Sequence, residues 1–180
     1  MRIFIGIKAD KDLLKKISDW KKSFKIGFPA RFIDDKNLHI TLIPPWIEEK
    51  SKIKSKISNI NSILSKIQPF FIELSRIKFG PDEKRPCLIW AEGVADRKIL
   101  SLKEIIEDTL KIKPERRIFK LHLTIARFKF NNFKNIKRLR QTIKWKQEVK
   151  SFYLFESILS PKGAEYKIIK EFKLASNSGT

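Results

Sequence analysis

Cysteine is almost missing from this chain. Cys87 is the single copy, so neither a disulfide framework nor a thiolate metal centre can be built. No apolar run approaches the length of a membrane span. The apolar opening, Met1-Arg2-Ile3-Phe4-Ile5-Gly6-Ile7-Lys8, is too short for the core of a secretory signal. A soluble, cytoplasmic protein is the expectation. Acidic residues are few, 20 against 40 Lys and Arg, which leaves a formal charge of +20. Such a field suits a polyanionic partner, most plausibly nucleic acid. Thirty of those cations are lysines spread along the whole chain, however, and compositional drift alone can produce that pattern. Good metal ligands are scarce, and no cofactor is expected. Scarcest among the chemically versatile residues is histidine, with two copies; threonine has five.

Those two histidines sit in the same short pattern. Leu38-His39-Ile40-Thr41-Leu42 is matched by Leu121-His122-Leu123-Thr124-Ile125. By composition, a threonine two places after both histidines has a chance on the order of one in a thousand. Successive side chains of a β-strand point to opposite faces, so His39 shares a face with Thr41, and His122 with Thr124. The aliphatic residues take the other face. A single histidine in an apolar strand is usually a structural residue, and threonine is a good strand former. Matched pairs at matched positions favour chemistry.

The rest of the chain supports a duplication. Arg2 to Lys8 has the composition of a buried strand. Asp10 is a suitable N-cap for a helix whose stripe is Leu13, Ile17, Trp20 and Phe24, ended by Gly27 and Pro29. A connector, Ala30 to Asn37, leads to a motif strand over Leu38 to Ile43, which Pro44-Pro45 should stop. A second helix is expected from about Glu48 to Ile67, followed by a strand over Phe70 to Ile77. A charged loop, Gly80 to Pro86, precedes a strand over Cys87 to Val94. Asp96 then caps a helix carrying Ile99, Leu102, Ile105, Ile106 and Leu110, ended by Pro114. The second motif strand spans about Phe119 to Phe128. A basic helix after Asn132 carries Ile136, Leu139 and Ile143. Strands over Val149 to Leu159 and Ala164 to Leu174 form a hairpin about Pro161-Lys162-Gly163, and the last six residues form a tail. Phe4 stands 35 positions before His39, and Cys87 stands 35 before His122. Each half runs strand, helix, connector, motif strand, helix, strand, a degenerate twofold repeat. The predicted fold is therefore α+β, a single bilobal domain over residues 1–180. Its lobes are two pseudo-symmetric antiparallel sheets with outer helices, flanking a central groove.

Two imidazoles facing each other across such a groove can perform general acid–base catalysis. One takes a proton from attacking water while the other gives one to a leaving oxygen. Thr41 and Thr124 can donate to oxygens that gain charge. Arg127, three residues beyond Thr124, offers a fork that fits phosphate. Strict alternation turns Arg127 away from His122, so a bend near Ala126 is required. A phosphodiester suits this equipment without a metal. Trp46 and Trp90 can stack on bases, with core or rim packing as the competing role.

At these residues the chain resembles the 2H phosphoesterase superfamily, whose signature is two His-hydrophobic-Thr-hydrophobic motifs in two pseudo-symmetric lobes. Within it the chain is similar to the RNA 2′,3′-cyclic phosphodiesterases, historically called 2′-5′ RNA ligases. Arg2-Ile3-Phe4-Ile5-Gly6-Ile7, Pro86-Cys87-Leu88-Ile89-Trp90, His122-Leu123-Thr124-Ile125-Ala126-Arg127 and the segment from Ser157 through Gly163 to Tyr166 carry the likeness. It departs at Ile43-Pro44-Pro45-Trp46, where the family commonly continues with Phe and Gly, and at Leu121, where a proline is common. The resemblance implies metal-independent hydrolysis of an RNA terminal 2′,3′-cyclic phosphate to a 2′-phosphate. It implies His39 as proton donor to the leaving oxygen and His122 as the base for water. RNA with a cyclic phosphate end, such as tRNA fragments or small nucleotides, is the expected partner; no membrane is expected, and nothing requires more than a monomer. Other 2H chemistries fit the same motifs: 2′-5′ ligation or cleavage, or a cyclic nucleotide phosphodiesterase. A non-catalytic RNA-binding module fits the charge, and a two-histidine metal site lacks ligands.

Overall fold

A computed structural model describes residues 1–25, 29–129, 138–160 and 163–175. Its strands are β1 (Arg2–Lys8), β2 (Arg31–Phe32), β3 (His39–Ile47), β4 (Phe70–Gly80), β5 (Leu88–Gly93), β6 (His122–Arg127), β7 (Arg140–Val149), β8 (Ser151–Ser160) and β9 (Gly163–Lys173). Its helices are α1 (Lys11–Ser23), α2 (Ile53–Asn61) and α3 (Arg97–Leu110). The nine strands form one sheet in the order β7-β4-β5-β6-β3-β1-β8-β9, with β2 added beside β6. Every pairing is antiparallel.

The expected α+β architecture of two matched lobes is present, but the two sheets are joined edge to edge. One half is β7-β4-β5-β6 and the other β3-β1-β8-β9, and between β3 and β6 the only registered pair is Ile40 with Leu123. The halves correspond in detail. β1 pairs with the first motif strand and leads into α1; β5 pairs with the second and leads into α3. The Asp10 carboxylate accepts from the Leu13 amide at 2.7 Å, and the Asp96 carboxylate accepts from the Lys98 and Ile99 amides. A side chain that satisfies these orphaned first-turn amides fixes where each helix begins. Leu13, Ile17 and Trp20 of α1 and Ile99, Leu102, Ile106 and Leu110 of α3 are buried in one cluster with Ile3, Ile5, Ile7, Leu38, Ile40, Leu42, Leu121, Leu123 and Ile125. The aliphatic face of both motif strands is thus the core, and the histidine face is left to the groove.

Several sequence expectations are corrected. The second helix is short: α2 is flanked by 3₁₀ turns at Lys50–Lys52 and Leu64–Lys66. Lys52 supplies no side-chain cap, and the Ser- and Asn-rich segment competes for its own backbone. Pro44 and Pro45 do not end the first motif strand. β3 runs through them to Ile47, because the ladder skips the prolines and resumes at Trp46 opposite Ile3. Leu139 and Ile143 are not helical: the strand β7 begins at Arg140 and pairs along the length of β4, so tertiary pairing overrides a helical spacing of apolar residues. Ile136, Gly27, the Pro161-Lys162 turn and the last five residues lie outside the described residues. Within the connector, β2 is a two-residue strand that the sequence does not announce.

Gly6 occupies a tight position in β1, opposite Thr41. A Cβ there would stand 2.7 Å from the Ile40 carbonyl oxygen and 3.4 Å from the His39 ring. Gly6→Ala is expected to cost about 1–3 kcal/mol of stability by overpacking. A lowered urea midpoint at unchanged m-value is the expected reading, and an unaltered midpoint would show that the strand yields freely.

Candidate active site

The chain folds so that His39, Thr41, His122, Thr124 and Arg127 line one cavity of about 270 Å³. The single ladder pair between the motif strands explains the juxtaposition. Ile40 and Leu123 point into the core, so their neighbours on both strands point into the groove. Continuing that antiparallel register sets His39 across from Thr124 and Thr41 across from His122. The two imidazoles then occupy diagonal positions, a relation that spaces backbone positions by about 7–8 Å.

Arg127 joins the cavity through a bulge. Trp90 pairs with Thr124 and Ile89 with Ala126, so the β5–β6 ladder skips Ile125. One extra residue reverses the side-chain alternation beyond it, so Arg127 comes to the histidine face. The first half carries the equivalent irregularity: Gly6 pairs with Thr41 and Ile5 with Ile43, skipping Leu42. Five residues beyond its histidine, the first half has Pro44 where the second has Arg127. The bend that the sequence required near Ala126 is therefore present one residue earlier.

Both histidines are held alike. His39 Nδ1 lies 2.7 Å from the Asn37 carbonyl oxygen and His122 Nδ1 lies 2.8 Å from the Lys120 carbonyl oxygen, in each case two residues upstream. A carbonyl only accepts, so Nδ1 carries the hydrogen and Nε2 is the nitrogen left for chemistry. Aromatic rings brace both imidazoles. Phe4 and Tyr166 lie 4.9 and 5.0 Å from His39, and Trp90 lies 4.1 Å from His122. Trp90 is only 6% exposed, which assigns it to packing against His122 and not to an open stacking surface. Trp46 donates its indole hydrogen to Glu48 and packs on the core.

The surroundings of the two rings differ in charge. Burial pushes the His39 imidazole down to about 4, opposed by the Asn37 carbonyl and assisted by His122 and Arg127. Burial also lowers His122, but the Lys120 carbonyl and the Glu92 carboxylate act in the opposite direction. The ladder places Lys8 opposite His39 and Glu92 opposite His122. Glu92 is buried and is paired with the Arg76 Nε donor at 3.0 Å and with Lys78 Nζ at 3.5 Å.

Sequence reasoning did not single out Arg2, Asn37, Ser157 or Tyr166 as site residues, yet all four line the cavity. Arg2 Nη1 donates to Ser157 Oγ at 3.1 Å. Arg2 alternates with Phe4 and Gly6 along β1, a signal that becomes legible only once β1 is known to lie beside β3. Among the described residues, no group of three His, Cys, Asp or Glu is placed to hold a metal ion.

The sequence model of the 2′-5′ RNA ligase superfamily matches residues 10–156. A protein of Methanocaldococcus jannaschii named RNA 2′,3′-cyclic phosphodiesterase is 31% identical over 181 residues, covering 96% of this chain and all of that protein. One of the same name from Archaeoglobus fulgidus is 28% identical over 180 residues, with 96% and 100% covered. The crystal structure of TT0787 of Thermus thermophilus superposes with a TM-score of 0.82 at 20% identity, covering 98% of this chain and 100% of that one. That of Escherichia coli LigT complexed with phosphate superposes at 0.72 and 19%, covering 97% and 98%. The histidine motifs, the paired lobes and a family match over most of the sequence lead to one statement: this chain belongs to the 2′-5′ RNA ligase superfamily, the 2H phosphoesterases.

Proposed function

We propose that this protein hydrolyses the 2′,3′-cyclic phosphate at an RNA end to a 2′-phosphate, using His39 and His122 as acid and base. The observation that carries the reading is the one cavity lined by both motif histidines, each with Nδ1 bound to a backbone carbonyl. Water attacks phosphorus and the bond to O3′ breaks. His122 Nε2 takes the water's proton, and His39 Nε2 delivers a proton to O3′, so the two rings exchange protonation states and solvent resets them. Thr41, Thr124 and Arg127 donate to the non-bridging oxygens as charge builds there. No metal or cofactor enters these steps. Every side chain named comes from one chain, which suits a monomer, and the RNA names of the relatives suit an RNA end as substrate.

The charge asymmetry supports this division of roles. A carboxylate near His122 strengthens it as a base and stabilises the imidazolium it becomes. Positive neighbours make protonated His39 a strong acid once the substrate's phosphate has drawn a proton onto it. Glu92 thus acts through His122 as a positioning residue.

Three outcomes test the proposal. His39→Ala and His122→Ala are each expected to lower turnover of a cyclic-phosphate-ended oligonucleotide by roughly 10²–10⁴-fold with the circular dichroism spectrum intact; wild-type rates in both variants would end it. Removing a negative charge near an imidazole lowers its pKa. Glu92→Gln is therefore expected to move the limb of the pH–rate profile that His122 contributes to lower pH, along with the His122 NMR titration. An unmoved limb would deny Glu92 that part. Turnover in excess EDTA is expected to match turnover without it, and chelator-sensitive activity would show that a metal takes part.

A further inference from the structure

The segment from Lys111 to Lys120 joins α3 to the second motif strand. It carries five cations, Lys111, Lys113, Arg116, Arg117 and Lys120, against a single acid, Glu115. We infer that this connector is a docking surface for the sugar-phosphate backbone of an RNA strand, holding the nucleotides upstream of the cyclic end. The inference rests on the function proposed above and extends it from the reacting end to the body of the substrate.

All five cations are exposed, and none of them forms an ion pair among the described residues. On the neighbouring strands, by contrast, Arg76, Lys78 and Arg140 are tied to Glu92 and Glu83. The connector is fixed at both ends. Behind α3 the Ile112 amide donates to the Glu107 carbonyl at 2.9 Å, and after Lys120 the Leu121 carbonyl accepts from the Gly93 amide at 2.9 Å. Ile112 and Phe119 pack on the core. Between these anchors the chain holds Arg116, Arg117 and Ile118 out to solvent, with Ile118 91% exposed. Cations that track a backbone, with apolar surface between them, suit a single nucleic-acid strand. The first half shows that the duplication does not require this pattern. Its connector, Ala30 to Asn37, balances Arg31 and Lys36 against Asp34 and Asp35, and it is drawn into the sheet as β2. Counted back from the two histidines, Asp34 stands where Arg117 stands. Placement agrees as well. The Lys120 charge reaches His122 and opposes its protonation, and Arg117, five residues from His122, lies within about 18 Å of it even along a fully extended chain. The histidine cavity, about 270 Å³, is small for a bound molecule. A strand longer than its reacting end therefore continues over the surface, and the connector is the unpaired basic surface that begins beside His122.

The test compares an RNA of about twelve nucleotides ending in a 2′,3′-cyclic phosphate with uridine 2′,3′-cyclic phosphate, which has no upstream strand. The wild-type protein is expected to favour the oligonucleotide in kcat/KM, most strongly at low salt. The double variant Arg116→Ala/Arg117→Ala is expected to lower kcat/KM for the oligonucleotide by roughly tenfold at low salt and to leave the mononucleotide within about twofold. The slope of log kcat/KM against log salt is expected to flatten by about 0.7 for each phosphate contact removed. Lys170→Ala/Lys173→Ala, on exposed positions of β9 at the far edge of the sheet, removes the same charge and is expected to cost less than about twofold on either substrate. An equal loss in the β9 variant would mean that net charge acts and the connector does not. Equal losses on both substrates would mean that the connector only supports His122, and no loss on either would mean that the strand runs elsewhere; each of these results overturns the surface. A parallel binding arm uses a 3′-phosphorylated RNA of the same length and 3′-UMP. Should no cyclic phosphate be turned over, the proposed function falls, while weaker oligonucleotide binding by the connector variant with 3′-UMP binding unchanged would still establish the surface. Equal weakening of both ligands, or of neither, would remove it.

Discussion

One ladder pair, Ile40 with Leu123, sets the relation between the two halves of this protein. Both side chains are fully buried, and β-strand alternation has a period of two, so the residues on either side of each must face the opposite way. A slip of one residue at this seam would send a histidine into the core and an isoleucine or leucine into the groove. Burial of aliphatic surface, worth about 25 cal/mol per Å², is therefore what holds four polar groups on a common surface. The groove is the reverse side of the hydrophobic core.

A duplicated fold begins with two equivalent histidines, whereas the proposed proton transfer in one direction needs them to differ. Two substitutions between the halves supply the difference. Lys8 and Glu92 occupy matching ladder positions beside His39 and His122. Pro44 and Arg127 stand at the matching place beyond the bulges. The backbone devices, by contrast, are common to the halves: the carbonyl two residues before each histidine, the aspartate that caps the helix preceding each motif strand, and the residue skipped in each ladder. Geometry is kept common to both lobes, and charge distinguishes them.

The excess of cations has a related local order. Along the second half, Arg76, Lys78 and Arg140 are tied to Glu92 and Glu83, so part of the basic side chain count there serves to hold carboxylates in place. Inside the cavity the guanidiniums are Arg2 and Arg127. Net charge speaks to a polyanionic partner at long range, whereas these two groups are the ones that reach the space between the histidines.

The two motifs, their strand faces and the twofold repeat were legible in the sequence, because alternation and helical periodicity are local and cap residues act within one turn. Sequence spacing alone demanded a bend before Arg127 could serve. What only the tertiary structure decided depends on neighbours distant in the chain. β7 is a strand because β4 offers it a partner, and β3 passes through Pro44-Pro45 because β1 skips them. Arg2, Asn37, Tyr166 and Glu92 gained meaning when β1, the connector, β9 and β5 came to rest beside the motif strands. A side chain's type is written in the sequence, but the charge, burial and partners that set its chemistry come from segments whose approach no local pattern records.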